Sequence, residues 1–237
     1  DLHSFPTRRS SDLSFKGNTQ ITSFEELQYF TGLTEIGEKA FEKCTSLTSV
    51  KLPNTVTSIR HAAFLDCGQL ASINFNCCKA EINYEAFENC TSLANVTLPS
   101  GTYPEGYSCF FGCTSLKSFV MEASDDLPDK WYEGAFSQCT NLETVVIYGK
   151  LLRGPNNFKD CTSLQTVTYL DNTPGTSYNQ NFKGAASGIQ FIIPEGSAET
   201  FLHQGYVNLS DKSALPIARE ELEDEVARIE AMATAKL

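Results

Sequence analysis

Six copies of one phrase dominate the 237-residue chain and leave it little choice of architecture. Each copy runs aromatic, two variable residues, Cys, x, x, Leu, and then apolar residues six and eight positions after the Cys. The plainest are Phe41-Glu42-Lys43-Cys44-Thr45-Ser46-Leu47 ahead of Val50 and Leu52, and Phe87-Glu88-Asn89-Cys90-Thr91-Ser92-Leu93 ahead of Val96 and Leu98. The anchors Cys44, Cys67, Cys90, Cys113, Cys139 and Cys161 lie 23, 23, 23, 26 and 22 residues apart. A decayed seventh copy has Phe182, Ala185 in the Cys slot, Phe191 and Ile193. A fixed period of roughly 20–29 residues with L-x-x-L-x-L spacing is the signature of a solenoid built from leucine-rich repeats.

The expected fold is an α+β repeat. It is a right-handed leucine-rich-repeat solenoid of about seven coils of ~23 residues, with short parallel strands, short helical turns and helical caps. Residues 1–15 lack repeat character and are read as a non-native or disordered tail. Residues 16–210 form the solenoid with its caps. Residues 211–237 are read as a helix, with Leu222, Val226 and Ile229 on one face; it either links to a further domain or folds back on the solenoid. At the N-terminal end Ser23-Phe24-Glu25-Glu26 has the form of a capping box opening a short helix.

Within a coil, the residues at Cys+6 and Cys+8 alternate as a strand and point inward together. Pro53, Pro99 and Pro194 stop such strands. The pairs Ala40-Phe41, Ala63-Phe64, Ala86-Phe87 and Ala135-Phe136 place a small residue where coils approach closely and a ring at the centre, in about one helical turn. Cys109, Asn157 and Asn181 stand in the Ala slot of other coils. Six of the nine cysteines share one slot and are read as a structural ladder of buried free thiols, because Cys behaves as a small hydrophobe. Anchors on successive coils form a row and do not converge tetrahedrally, so no metal site is expected. Cys77, Cys78 and Cys109 fall off the pattern.

A net charge of −11 disfavours a nucleic-acid partner, which needs a basic stripe. No apolar run approaches the roughly 18 residues that span a bilayer, so no membrane insertion is expected. His3, His61 and His203 are scattered, and no G-x-S-x-G, P-loop or H-E-x-x-H occurs. No catalytic residue and no cofactor are therefore assigned. The outward row of the strands runs Lys51, Asn74, Thr97, Val120, Val146, Thr168, Ile192, turning apolar towards the fourth and fifth coils. Exposed apolar area with aromatic neighbours marks interfaces. The expected binding strip is accordingly Val120, Tyr132, Val146, Tyr148, Thr168 and Leu170. Trp131 either joins that surface or fills the core.

Residues 21–205 resemble the BspA-like leucine-rich repeat family of bacterial surface proteins. The phrases that carry the likeness are Phe24-Glu25-Glu26-Leu27-Gln28-Tyr29-Phe30-Thr31-Gly32-Leu33, the run Ile36–Pro53, and Ile192-Ile193-Pro194-Glu195-Gly196-Ser197. The resemblance implies an extracellular or cell-surface module for recognition and adhesion, with a protein, glycan or other cell-surface ligand as partner. No binding residue travels with the family. A passive spacer presenting another domain is the alternative, and an enzyme is the least favoured.

Overall fold

In a computed structural model of the protein, residues 14–75, 79–122, 124, 127 and 133–211 are described. Residues 1–13 of the expected tail over 1–15, Cys77, Cys78, Trp131, Tyr132 and the expected helix beyond residue 211 lie outside them. The chain winds as a parallel-strand solenoid of about seven turns of ~23 residues. Strands fall where β-branched and aromatic residues alternate with polar ones: Ser49–Lys51, Ser72–Asn74, Asn95–Leu98, Ser118–Met121, Thr144–Ile147, Thr166–Tyr169 and Gln190–Ile193. Each pairs in parallel with the equivalent residues one coil on, as in Val50↔Ile73 and Val145↔Val167. Ser23–Phe24 pairs at one end and Leu209–Asp211 at the other, in sheets of three and six strands. A second row on the return path pairs Glu35–Ile36, Ser58–Ile59, Glu81–Ile82 and Tyr103–Pro104. Its Ile36, Ile59 and Ile82 turn inward and are buried.

One ring per coil fills the centre. Phe15, Phe41, Phe64, Phe87, Phe110, Phe136, Phe158 and Phe182 stack in sequence, with centroids 5.0–5.8 Å apart and nearly parallel planes. Beside this column runs the thiol ladder. Cys44 donates to the Phe15 carbonyl at 3.0 Å and Cys67 to Phe41 at 2.9 Å. Cys90, Cys113, Cys139 and Cys161 repeat the bond to Phe64, Phe87, Phe110 and Phe136. All six are free and buried, as the repeat phrase implies. A buried hydroxyl in this slot would find the same carbonyl, so the slot is polar as well as small.

The Ala-Phe segments are turns; the expected helical turn does not form. The residues two before and two after each Phe take positive φ: Lys39 and Lys43, Ala62 and Asp66, Glu85 and Asn89, Ser108 and Gly112, Gly134 and Gln138, Asn156 and Asp160. A helix cannot pass through a left-handed residue. What the geometry achieves instead is an alternation of partners. The amides of Lys39, Phe41 and Lys43 donate to His61, Ala63 and Leu65 of the next coil, while those of Ala40, Glu42 and Cys44 close turns within their own. Gln138 is exposed and holds this costly conformation, although Gln is not among the residue types that visit it readily. Gly17, Gly112 and Gly184 occupy the same slot. Gln138→Gly should therefore raise stability by about 0.5–1 kcal/mol in urea unfolding, the relief of strain exceeding the added chain entropy.

Three expectations at the ends need correction. Ser23 does not cap a helix: it lies in a strand paired with Ser49, and the 3-10 segment Glu25–Tyr29 follows Phe24 with no side-chain cap. The solenoid also takes in Phe15, a residue of the expected tail. The Phe15 amide bonds Ala40 and the Gly17 amide bonds Glu42, so Phe15-Lys16-Gly17-Asn18 is a coil corner with Asn18 in the Cys slot. Asn18 Oδ1 accepts the amides of Gln20 and Ile21 there. At the other end Asp211 is still strand-paired, with Ile193. Ala198–His203 is helical and buries Phe201.

Candidate functional site

The expected binding strip does not face solvent at its centre. Val120, Val146 and Tyr148 are 2%, 4% and 8% exposed, and Thr168 and Leu170 are half-buried. Strand alternation does send Val120 and Val146 to the side opposite Phe119, Met121, Val145 and Ile147, which lie in the interior cluster. Facing away from that interior, however, has not left them in water. Tyr148 belongs to the interior cluster, and its hydroxyl accepts the Ser124 amide at 2.6 Å. Leu127, from the same 26-residue coil, is buried in that cluster too. Ser124 thus packs against the Tyr148 end of the strip. Tyr132, the remaining member, lies outside the described residues.

Two other surface features emerge from the outward slots of the return path. In the second strand row, Glu35, Ser58, Glu81 and Tyr103 stand side by side while their neighbours Ile36, Ile59 and Ile82 are buried. They form the floor of a polar groove of about 670 Å³ that also takes in Thr34, Thr57, Arg60, Lys79, Ser100, Gly101 and Ser124. Arg60 spans two coils to donate through Nε and Nη2 to Glu35 Oε2, at 2.9 and 2.7 Å. The Tyr103 hydroxyl donates to Glu81 Oε1 at 3.0 Å. Burial, then the adjoining Glu81 carboxylate, pushes that phenol well above its ordinary range, so it stays a donor.

The second feature sits at the coil corner, three residues before each anchor Phe. Across five coils that slot reads Glu38, His61, Tyr84, Tyr107, Glu133. His61 lies between Glu38 Oε1 at 3.5 Å and Glu85 Oε2 at 3.3 Å. The hydrogen bond from Lys39, with His61 adding to it, holds the Glu38 carboxyl below its usual range. Tyr84 and Tyr107 stack at 5.5 Å with planes 19° apart, and they are 46% and 56% exposed. Gly106 makes this possible: a β-carbon there would fall 2.1 Å from the Tyr84 ring. Beyond Tyr107 a depression of about 370 Å³ is lined by Tyr107, Ser108, Phe111, Glu133, Gly134, Ser137, Asn156 and Lys159. Reading the sequence for outward strand positions missed this site. The signal was available in the corner slot, where two aromatics interrupt a polar column.

Neither feature brings together catalytic groups. Among the described residues no group of three or more His, Cys, Asp or Glu could hold a metal ion. The ladder thiols are poor nucleophiles: burial pushes Cys67, Cys113 and Cys161 to about 12, and Cys90 and Cys139 well above their ordinary value. Of the off-pattern cysteines, Cys109 is buried in the Ala slot with its thiol on the carbonyls of Ile82 and Asn83. Asn157 and Asn181 in the same slot are fully buried and bonded to each other at 3.0 Å, and Asn157 donates also to Gly154 at 2.7 Å.

The chain resembles a leucine-rich repeat protein from Bacteroides ovatus at 20% identity, over 69% of this chain and 61% of that one, with a TM-score of 0.35. It resembles a leucine rich cell surface protein from Faecalibacterium prausnitzii at 17% identity, over 85% and 65%, with a TM-score of 0.43. The pneumococcal vaccine antigen PcpA matches at 16% identity, over 87% of this chain but 43% of that one, with a TM-score of 0.46. The chain thus spans less than two thirds of each of these proteins. No curated protein matches it. The BspA type leucine rich repeat region matches in six copies, over residues 12–127 and 77–185. Its span begins ahead of Phe15, where the ring column begins, and by that match the chain belongs to the BspA-type leucine-rich repeat family.

Proposed function

We propose that this chain is a recognition module, extracellular or held at a cell surface, that binds a partner molecule through its outward corners as a monomeric unit. One observation carries the reading. The inward slots repeat Phe, Cys, Leu and Val from coil to coil, whereas the outward corner slot changes from Glu38 to His61 to Tyr84 to Tyr107 to Glu133. Stability accounts for the repeated positions, and nothing in stability asks for stacked tyrosines in water. Family membership supports a repeat module, and such modules use their extended surfaces for binding. Buried thiols also suit an oxidising surroundings, because no oxidant reaches them. No helix among the described residues is long and apolar enough to cross a membrane.

The test is binding of the purified chain to immobilised extracellular-matrix proteins and to arrayed oligosaccharides, read by interferometry. Saturable binding that is lost when Tyr84 and Tyr107 are both changed to Ser is the expected result. Failure to bind any member of either set would favour a passive spacer.

A further inference from the structure

We propose that the depression beside Tyr107 is a sugar-binding subsite, in which a pyranose ring of a neutral glycan stacks on the Tyr107 face. The proposal rests on the recognition reading and names the class of partner. Three observations carry it, beginning with the ring itself. Tyr84 of the preceding coil covers one face of Tyr107, while the equivalent positions of the following coil hold Glu133 and Gly134 in place of a ring. Tyr107 is left more than half exposed beside a cavity of about 370 Å³. The face of an aromatic ring is negative, and the C–H bonds on one side of a pyranose present a matching positive surface. Stacking on Tyr84, itself seated over Gly106, holds the platform in place before any ligand arrives.

The lining supplies the second observation. At the small end of ligand pockets, roughly 300–1,000 Å³, most are apolar. This one sets Tyr107 and Phe111 among the polar Glu133, Lys159, Asn156, Ser137 and Ser108, with one charge of each sign. Such groups pair with hydroxyls, which both donate and accept, and the charges leave no net bias towards an ionic ligand. The Ser137 hydroxyl donates to the Asn156 carbonyl at 2.7 Å and ties two walls of the depression together.

The backbone supplies the third, by disfavouring a peptide. An extended peptide gains affinity from unpaired main-chain groups at a sheet edge. Here the amides of Ser108, Phe110 and Gly112 are bonded to Glu133, Ala135 and Ser137 of the next coil, and those of Gly134, Phe136 and Gln138 to Pro155, Asn157 and Lys159. A corner with its donors spent presents only side chains.

The experiment applies the full chain and single variants to an array of immobilised oligosaccharides built from neutral hexoses and N-acetylhexosamines, with immobilised matrix proteins alongside. Tyr107→Ala should weaken sugar binding by roughly tenfold or more, the loss expected on removing an aromatic anchor. Tyr107→Phe, which keeps the ring, should stay within about threefold, and Tyr29→Ala, an exposed tyrosine on another segment, should change nothing. An unchanged thermal midpoint for Tyr107→Ala confirms that the fold is intact. Sugar binding insensitive to Tyr107→Ala overturns the site. Binding to proteins but to no sugar overturns the ligand class while recognition stands, and binding to neither removes both.

Discussion

Raised from about pH 7 to about pH 10, the protein should lose several kcal/mol of stability, and it should unfold without denaturant before about pH 12. The cause is the thiol ladder. A Cys whose folded pKa lies above its unfolded one favours the native state fully below the unfolded value. That advantage is lost as pH climbs through the folded value, because only the unfolded chain releases the proton. Cys67, Cys113 and Cys161 rise from an ordinary 9.0 to about 12, by burial first and foremost. Between those limits each removes up to about 1.4 kcal/mol per pH unit. Three such groups amount to roughly 4 kcal/mol per pH unit, against a total stability of about 5–15 kcal/mol for a typical domain. Cys90 and Cys139 add to the same slope, and Tyr206, raised by burial to about 12, joins at its upper end. Urea midpoints measured from about pH 7 to 10.5 would show the fall, and a variant with Cys67, Cys113 and Cys161 all changed to Ala should make it shallower, leaving the share of Cys90 and Cys139. A midpoint that holds steady across that range would rule the account out.

Phe110→Ala should cost about 3–5 kcal/mol, and Phe110→Leu roughly half as much. Phe110 is fully buried and touches rings on three sides: Phe87 and Phe136 in the stack at 5.4 and 5.8 Å, and Phe119 edge-on at 5.4 Å. Removing it opens a cavity that neighbouring coils cannot close, since each is tied at fixed register to the next. The location of the damage is as informative as its size. A solenoid is held by nearest-neighbour interfaces, so the loss should fall on the coils around Phe110 and leave distant ones protected. Hydrogen exchange should therefore accelerate first in the amides of Phe87, Phe110 and Phe136, and last near Phe41 and Phe191. Uniform acceleration along the chain would contradict a nearest-neighbour solenoid.

The interior of this protein was legible because its slots repeat. Phe, Cys, Leu and the inward strand pair could be placed before any coordinates, and the structure puts them where the period said. The first coil is not legible for a specific reason: Asn18 replaces Cys, so the repeat phrase breaks although the corner geometry does not. The turn at each Ala-Phe also read as a helix, since no pattern in Lys39, Ala62 or Gln138 announces a positive φ. The binding strip failed differently. Alternation tells which side of a strand Val120 and Val146 occupy, but burial depends on what else packs over that side. Tyr84 and Tyr107 needed the opposite habit, a column read across coils at a position outside the strands.

The 26-residue coil shows how freely length can be added to this fold. Its extra residues fall between Met121 and Gly134, yet Ser118↔Thr144 and Phe119↔Val145 keep the pairing of every other coil, and Phe110 still bonds Ala135. Perimeter and pitch are therefore independent variables: a coil can lengthen without shifting the stack by a single residue. A scaffold of this kind has a built-in splice point, where foreign sequence can be displayed while the column of rings carries on beneath it undisturbed.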